Sequence, residues 1–251
     1  MDITILRFDS LPSTNTEAAE HARRGADEGL CVIAREQTSG RGRNGRAWIS
    51  NKDSGLYFSI ILRPEIESRW LPLITLMAGI AVFDMLSGIG IRPDIKWVND
   101  VLVGDKKICG ILAETVETAR GTAVVVGIGI NLTSTSFSNG IEMSATSILA
   151  ESGRSFTADQ IATELTPFFT YFYTMLCNDN GPSEIIAAWR DRSTYFKGKN
   201  VRVKIGGGQI EGVTDGLEAN GALRIVTSDG SIKVIQAGDV EQLRPDQTKE
   251  N

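Results

Sequence analysis

Residues 69–87, RWLPLITLMAGIAVFDMLS, are apolar nearly all the way round at helical spacing. A helix without a polar face either crosses a membrane or is enclosed by other elements. Its most apolar part, Leu71–Leu86, contains Pro72 and Asp84 and is too short to span a bilayer. The segment therefore predicts a helix covered by a sheet, and the chain around it supplies the strands. Ile3–Phe8, Leu30–Arg35 and Leu56–Leu62 precede it, the last rich in β-branched and aromatic residues. Ile95–Val98, Val101–Val103, Ile108–Val116 and Ala123–Leu132 follow, with turn chemistry at Gly104-Asp105.

Helices fill the intervals. Thr14 with Glu17 reads as a capping box opening a helix that runs to about Arg24 and stops at Gly25. Thr157 with Gln160 opens a second, amphipathic helix carrying Ile161, Leu165, Phe168, Phe169, Phe172 and Leu176 on one face. Pro167 is expected to kink it by removing a backbone donor. A shorter helix is expected over Ser183–Arg192. After about Phe196 the texture changes to short strands, Val201–Ile205, Gln209–Asp215, Leu223–Thr227 and Ile232–Ile235. Asn220-Gly221 and Asp229-Gly230 are hairpin signals among them. The reading is an α+β chain: a mixed sheet backed by helices over residues 1–196, then a small all-β unit over 197–251. A unit of that size is marginal unless it leans on a larger neighbour.

A net charge of −5 argues against a nucleic-acid partner. No membrane segment or signal peptide is read, and Cys31, Cys109 and Cys177 lack metal-ligand spacing, so a soluble, cytoplasmic protein with free thiols is expected. His21 is the only histidine, which leaves no multi-histidine metal site.

Against that acidic background, Gly40-Arg41-Gly42-Arg43-Asn44-Gly45-Arg46 places guanidinium groups and bare backbone N–H groups on one mobile loop. Both kinds of donor bind phosphate oxygens. The glycines also fit G-x-G-x-x-G, but no helical periodicity follows them, and a dinucleotide fold needs a helix to start there. The plain alternative is a solvated charged loop. Lys96-Trp97-Val98-Asn99-Asp100 sets a polar pair one hairpin away from Lys107, with Gly110 permitting close approach. The alternatives are an ordinary Asn-Asp turn and the charged mouth of a strand. Ser13-Thr14-Asn15 is explained by helix capping, yet a helix start also offers free N–H groups and hydroxyls to a neutral polar ligand. Asn131 ends an apolar strand, either as a turn residue or as an amide for a base edge.

Each signal is weak alone, but their order resembles one family, the biotin protein ligases, over nearly the whole chain. The motifs are S-T-N (13–15), Gln37, G-R-G-R-x-G-R (40–46) with Trp48, K-W-x-N-D (96–100), K-x-x-G-I-L (107–112) and G-I-G-I-N (127–131). The resemblance implies a class II aminoacyl-tRNA synthetase-like catalytic domain and a C-terminal SH3-like β-barrel. It implies ATP-dependent activation of biotin as biotinyl-5′-AMP and transfer to a lysine of a biotin carboxyl carrier protein, with Mg²⁺ arriving on ATP and no permanently bound metal. By resemblance Ser13, Thr14, Asn15, Gln37, Gly40, Arg41, Arg43 and Lys107 hold biotin. Arg43, Arg46, Trp48, Lys96, Asn99, Lys107 and Asn131 hold ATP or the adenylate. Lys107, Arg41, Arg43 and Asp100 serve catalysis. Two departures stand out: the family usually has proline where Val98 sits, and Asn44 replaces a frequent arginine.

Some members carry an N-terminal helix-turn-helix domain. Because the first strand is read at about residue 3, a ligase without DNA-binding activity is expected, as a monomer or a homodimer. The rivals are a lipoate or octanoate ligase, whose glycine-rich motif with a histidine is absent, and a non-catalytic biotin- or nucleotide-binding module.

Overall fold

A computed structural model of the chain describes residues 1–134, 144–205 and 208–242. β1 (Thr4–Phe8) and β2 (Leu30–Ala34) run parallel, joined through helix α1 (Thr14–Arg23). β3 (Gly55–Leu62), β4 (Asp94–Lys96), β5 (Asp100–Val103), β6 (Lys106–Thr118) and β7 (Gly121–Asn131) complete a seven-stranded mixed sheet of order β1-β2-β3-β7-β6-β5-β4.

The two-residue period of the strands divides this sheet into two unlike faces. Leu56, Phe58, Ile60 and Leu62 of β3 and Val124, Val126, Ile128 and Ile130 of β7 face the main core. Helix α2 (Leu73–Gly88) lies there, packed by the sheet on one side and by α4 (Ala158–Leu176) and α5 (Gly181–Arg190) on the other. That enclosure explains its all-round apolar sequence. It begins only at Leu73, because Pro72 cannot donate to a preceding turn; Ser68–Trp70 form a separate 3₁₀ turn. The opposite face is apolar only at one end, where Ala18 and Ala22 of α1 pack on Val32, Ile61, Val116 and Val125. Towards the other end its inward positions become Tyr57, Ser59, Gly127, Gly129, Gly110, Leu112 and Glu114. The register aligns these into rows, Tyr57–Gly129–Gly110, Ser59–Gly127–Leu112 and Ile61–Val125–Glu114. Glycine and short polar groups there leave a depression instead of a packed interface.

One local expectation changes. The first residue of α1 is Thr14 itself, with Ser13 at the N-cap, and no capping side-chain bond forms. The Thr14 hydroxyl instead donates to Gln37 Oε1 at 3.1 Å, and this longer-range partner outcompetes the local box. Helix α4 keeps its Thr157/Gln160 box and runs through Pro167 without a break. The carbonyl that Pro167 cannot reach, that of Thr163, accepts from the Thr166 hydroxyl at 3.3 Å. A short helix α3 (Ile148–Ser152), capped by Ser147, was not visible as periodicity.

The C-terminal strands β8 (Lys197–Ile205), β9 (Gly208–Leu217), β10 (Leu223–Val226), β11 (Ile232–Ile235) and β12 (Asp239–Gln242) form an antiparallel sheet of order β11-β10-β9-β8-β12. Among the described residues no pairing joins β11 to β12, so the sheet is open at both edges. Residues 243–251 of the expected C-terminal unit lie outside the described residues. The small sheet leans on its neighbour, as its size demands: Val201, Val203, Leu223 and Ile225 belong to the same core as α2. Trp97, 2% exposed, donates from Nε1 to the Gly221 carbonyl at 2.9 Å. Trp97→Phe keeps most of the packing and strands that buried carbonyl, which costs about 1–3 kcal/mol. Urea unfolding is expected to show a lowered midpoint of that size.

Candidate active site

The segment after β2 folds back on itself over the depression. Gln37 pairs with Ser50 and Arg41 with Ala47, so the loop is a small hairpin. Its tip is a 3₁₀ turn at Arg43–Gly45, followed by extended backbone and not by a helix, so the glycine run does not build a dinucleotide site. Asn44 sits in the left-handed region at φ 54. Asparagine visits that region more readily than most residues. At the neck of the hairpin Trp48 N–H donates to the Gly40 carbonyl at 2.9 Å. Gly40 is buried, and a Cβ there would collide with the Trp48 carbonyl oxygen.

Beneath the loop is a cavity of about 130 Å³. Of the residues expected at the site, Ser13, Thr14, Asn15 and Gln37 line one end. Arg41, Arg43, Arg46 and Trp48 form the roof, and Asn99, Asp100 and Lys107 the far wall. The glycines of β6 and β7 form the floor: a Cβ on Gly129 would lie 2.5 Å from the Trp48 ring, and one on Gly110 2.9 Å from it. Trp48 therefore lies against bare backbone, with its Nε1 buried and, among the described residues, unpartnered. The Lys107 ammonium stands 5.3 Å from the ring centroid.

Charge is distributed unevenly. Lys107 Nζ is 2.6 Å from Asp100, whose other oxygen is 3.5 Å from Lys96. Arg41 makes a bidentate pair with Glu114, at 2.9 and 2.7 Å. Arg46 pairs with Asp239 at 2.6 Å, and Asn44 reaches the same carboxylate at 3.4 Å. Arg43 has only neutral partners among the described residues, Asn99 Oδ1 at 3.1 Å and the Gly238 carbonyl at 3.3 Å. It is the loop arginine whose charge remains available to an anion. The contacts to Gly238 and Asp239 also tie the loop to the C-terminal sheet.

The polar end is connected internally. Thr14 N–H donates to Gln37 Oε1 at 2.8 Å, and Gln37 Nε2 donates to the Ser50 hydroxyl at 2.7 Å. Ser59 Oγ lies 2.7 Å from both Thr14 Oγ1 and Asn15 Oδ1. Three expected residues stand apart from the lining. Gly40 shapes the loop neck, and Lys96 backs Asp100. Asn131 spends its amide hydrogens on the Thr146 carbonyl at 3.0 Å and the Lys107 carbonyl at 3.4 Å, which places it behind the wall. Sequence reasoning missed Ser59, Glu114 and Asp239. Ser59 had a signal, as the one hydroxyl in the otherwise apolar stretch Leu56–Leu62 apart from the Tyr57 phenol. Buried Cys31 and Cys109 lie in the strands; burial pushes the Cys31 thiol up to about 12, so it stays protonated.

The sequence matches the biotin/lipoate A/B protein ligase family over residues 7–131 and the biotin protein ligase C-terminal domain over residues 196–242. It is 35% identical over 237 residues to the bifunctional ligase/repressor BirA of Bacillus spizizenii, covering 93% of this chain and 72% of that protein. It is 32% identical over 235 residues to the biotin–[acetyl-CoA-carboxylase] ligase of Paracoccus denitrificans, covering 91% and 96%. The biotin protein ligase of Aquifex aeolicus, solved in complex with biotin and ATP, superposes with a TM-score of 0.83 at 28% identity, covering 96% of this chain and 99% of that one. With the loop, the lysine–aspartate pair and the glycine floor in one cavity, the chain belongs to the biotin protein ligases of the biotin/lipoate A/B protein ligase family.

Proposed function

We propose that this chain activates biotin with Mg-ATP as biotinyl-5′-AMP and transfers the biotinyl group to a lysine of a biotin carboxyl carrier domain. The observation that carries this reading is the union, in one cavity, of a polar end suited to a neutral ring with a cationic end suited to phosphate. The ureido ring of biotin offers both donors and acceptors to Ser13, Thr14, Asn15 and Gln37. Lipoate and octanoate carry an apolar group at that end, which would leave those polar groups poorly matched.

In the first step a biotin carboxylate oxygen attacks the α-phosphorus, the bond to the bridging oxygen breaks, and pyrophosphate leaves. Both reactants are anions. Lys107 and Arg43 face them with charge, and Arg41 contributes N–H groups while sharing its charge with Glu114. Arg46, Trp48 and Asn99 would surround the nucleotide, with Lys96 and Asn131 holding Asp100 and the Lys107 backbone from behind. Mg²⁺ comes with the triphosphate as part of the substrate. The loop over the cavity keeps water from the mixed anhydride. In the second step the acceptor lysine, its proton lost, attacks the acyl carbon, and AMP leaves with the electron pair of the broken C–O bond.

Asp100, 2.6 Å from Lys107, would orient that lysine first and the acceptor lysine second. Asp100→Asn is expected to slow transfer from preformed biotinyl-5′-AMP by about 10-fold or more; transfer at the wild-type rate removes Asp100 from that step. Residues 1–196 would carry the chemistry, and 197–251 would act as a unit that steadies the loop. The net charge of −5 supports a ligase that works without nucleic acid. No helix among the described residues is long and apolar enough to cross a membrane, and together with the free cysteines this supports a cytoplasmic location.

The test is pyrophosphate release from Mg-ATP with biotin, lipoate and octanoate in parallel. Release with biotin alone is expected. Release with lipoate or octanoate instead would overturn the substrate assignment. Absence of release with any acid from folded protein would leave a binding module.

A further inference from the structure

We infer that Glu114 is a positioning residue for the small-acid substrate: it locks Arg41 of the loop and Asn15 of the α1 N-terminus into one frame. The inference rests on the biotin-ligase reading above. Arg41 Nη1 donates to Glu114 Oε1 at 2.9 Å and Nη2 to Oε2 at 2.7 Å. Asn15 Nδ2 donates to the same Oε2 at 2.8 Å and to the Leu112 carbonyl at 3.2 Å. Three donors thus converge on two oxygens, a demand that only an acceptor-only group meets.

The register explains why this residue can do it. Glu114 lies on the inward face of β6, in line with Val125 and Ile61 and one row beyond Ser59–Gly127–Leu112. From there it reaches α1 on one side and the loop on the other. Asn15, 4% exposed, has its Oδ1 beside the Ser59 hydroxyl, which also touches Thr14. A Cβ on Gly127 would press against the Asn15 amide, so the floor fixes that side chain from below as well. Among the described residues, the Arg41 side chain shows hydrogen bonds to Glu114 alone. Its side chain is 45% exposed and Glu114's 33%, and an isolated ion pair so exposed holds little. Fork-to-fork geometry together with the third bond from Asn15 makes this pair a frame instead.

A carboxylate beside an anion-binding arginine has an electrostatic consequence. It cancels the attraction of Arg41 for a distant anion and keeps its direction. The long-range attraction then belongs to Arg43 and to Lys107 with Lys96, two ammoniums sharing the single Asp100 carboxylate, and Arg41 with Asn15 determines how well the acid seats. Glu114 therefore acts chiefly on substrate affinity, and only weakly on the rate of the chemical step.

The experiment is steady-state pyrophosphate release by the full chain and by Glu114→Gln, with thermal unfolding recorded for each. Glutamine keeps the shape but turns an amide N–H₂ against a donor. The KM for biotin is expected to rise about 10–100-fold with kcat within about 3-fold of wild type, the cost of hydrogen bonds to a charged group. Glu114→Asp, which keeps the charge, is expected to recover part of the loss. In an Arg41→Met background Glu114→Gln should add less than its effect alone, because half of its frame is already gone. A KM unchanged in Glu114→Gln, a loss confined to kcat, or full additivity with Arg41→Met overturns the inference while wild-type release with biotin keeps the functional reading. Absence of biotin-dependent release by the wild type overturns both.

Discussion

Lys107→Ala is expected to lower biotin-dependent pyrophosphate release by about 10²–10³-fold, the usual loss when one preorganised charge stabiliser is removed from a reacting centre. The residue's surroundings make this large. Lys107 is the wall group whose ammonium lies both on a carboxylate, 2.6 Å from Asp100, and near the roof, 5.3 Å from the Trp48 ring. Its backbone is held on two sides, by Lys107 N–H donating to the Ser144 carbonyl and by Thr146 N–H donating to the Lys107 carbonyl, each at 2.9 Å. An ammonium anchored this way stabilises negative charge without reorganising as that charge moves from carboxylate to pyrophosphate. Its removal leaves Lys96, 3.5 Å from Asp100, as the other lysine on that carboxylate. The side chain is 31% exposed, so folding tolerates the change, and unfolding near the wild-type temperature should accompany the loss. Normal pyrophosphate release by a folded Lys107→Ala protein would sink the role.

How much of this was legible from residues alone follows from the range of each interaction. The seven strands of the large sheet and α2 rest on apolar periodicity within a single segment, and they appear within a few residues of their expected bounds. Thr14 shows the failure mode: its sequence neighbours satisfy a capping box, but Gln37, brought in by the loop, takes the hydroxyl. The site residues set in runs with unusual chemistry, Arg41 to Arg46 and Lys96 to Lys107, announced themselves. Glu114 did not, because a glutamate at an alternating strand position reads as solvent-facing; only the β3-β7-β6 register turns it inward. Asp239 was more remote still. Its meeting with Arg46 joins positions 193 residues apart and depends on how the small sheet seats against the large one, which no local pattern encodes. Asn131 illustrates the reverse, a motif residue whose amide hydrogens both go to backbone.

Gly40→Ala is expected to cost about 10²-fold in pyrophosphate release, whereas Gly42→Ala, two residues along the same loop, is expected to be nearly neutral. The contrast isolates geometry from flexibility, since both changes remove a glycine from the same hairpin. A Cβ at position 40 meets Ser50 Oγ at 2.7 Å and Gln37 Nε2 at 3.1 Å, and above all the Trp48 carbonyl oxygen. The first two are side-chain ends that can turn aside, at the expense of the bond between them. The third is backbone, held by the Trp48 N–H bond to the Gly40 carbonyl, and cannot yield without opening the neck of the hairpin. Everything distal to the neck moves with it, including Arg41 over Glu114, Arg43 over Asn99 and Trp48 over the glycine floor. A displacement of about 1 Å in groups that align reactants is enough for a loss of this size. At position 42 the nearest atom to a Cβ is 3.4 Å away and φ is −114°, a conformation open to alanine. Equal activity in the two variants would mean that the loop acts by mobility alone and that its closed hairpin is not the form in which the adenylate is made.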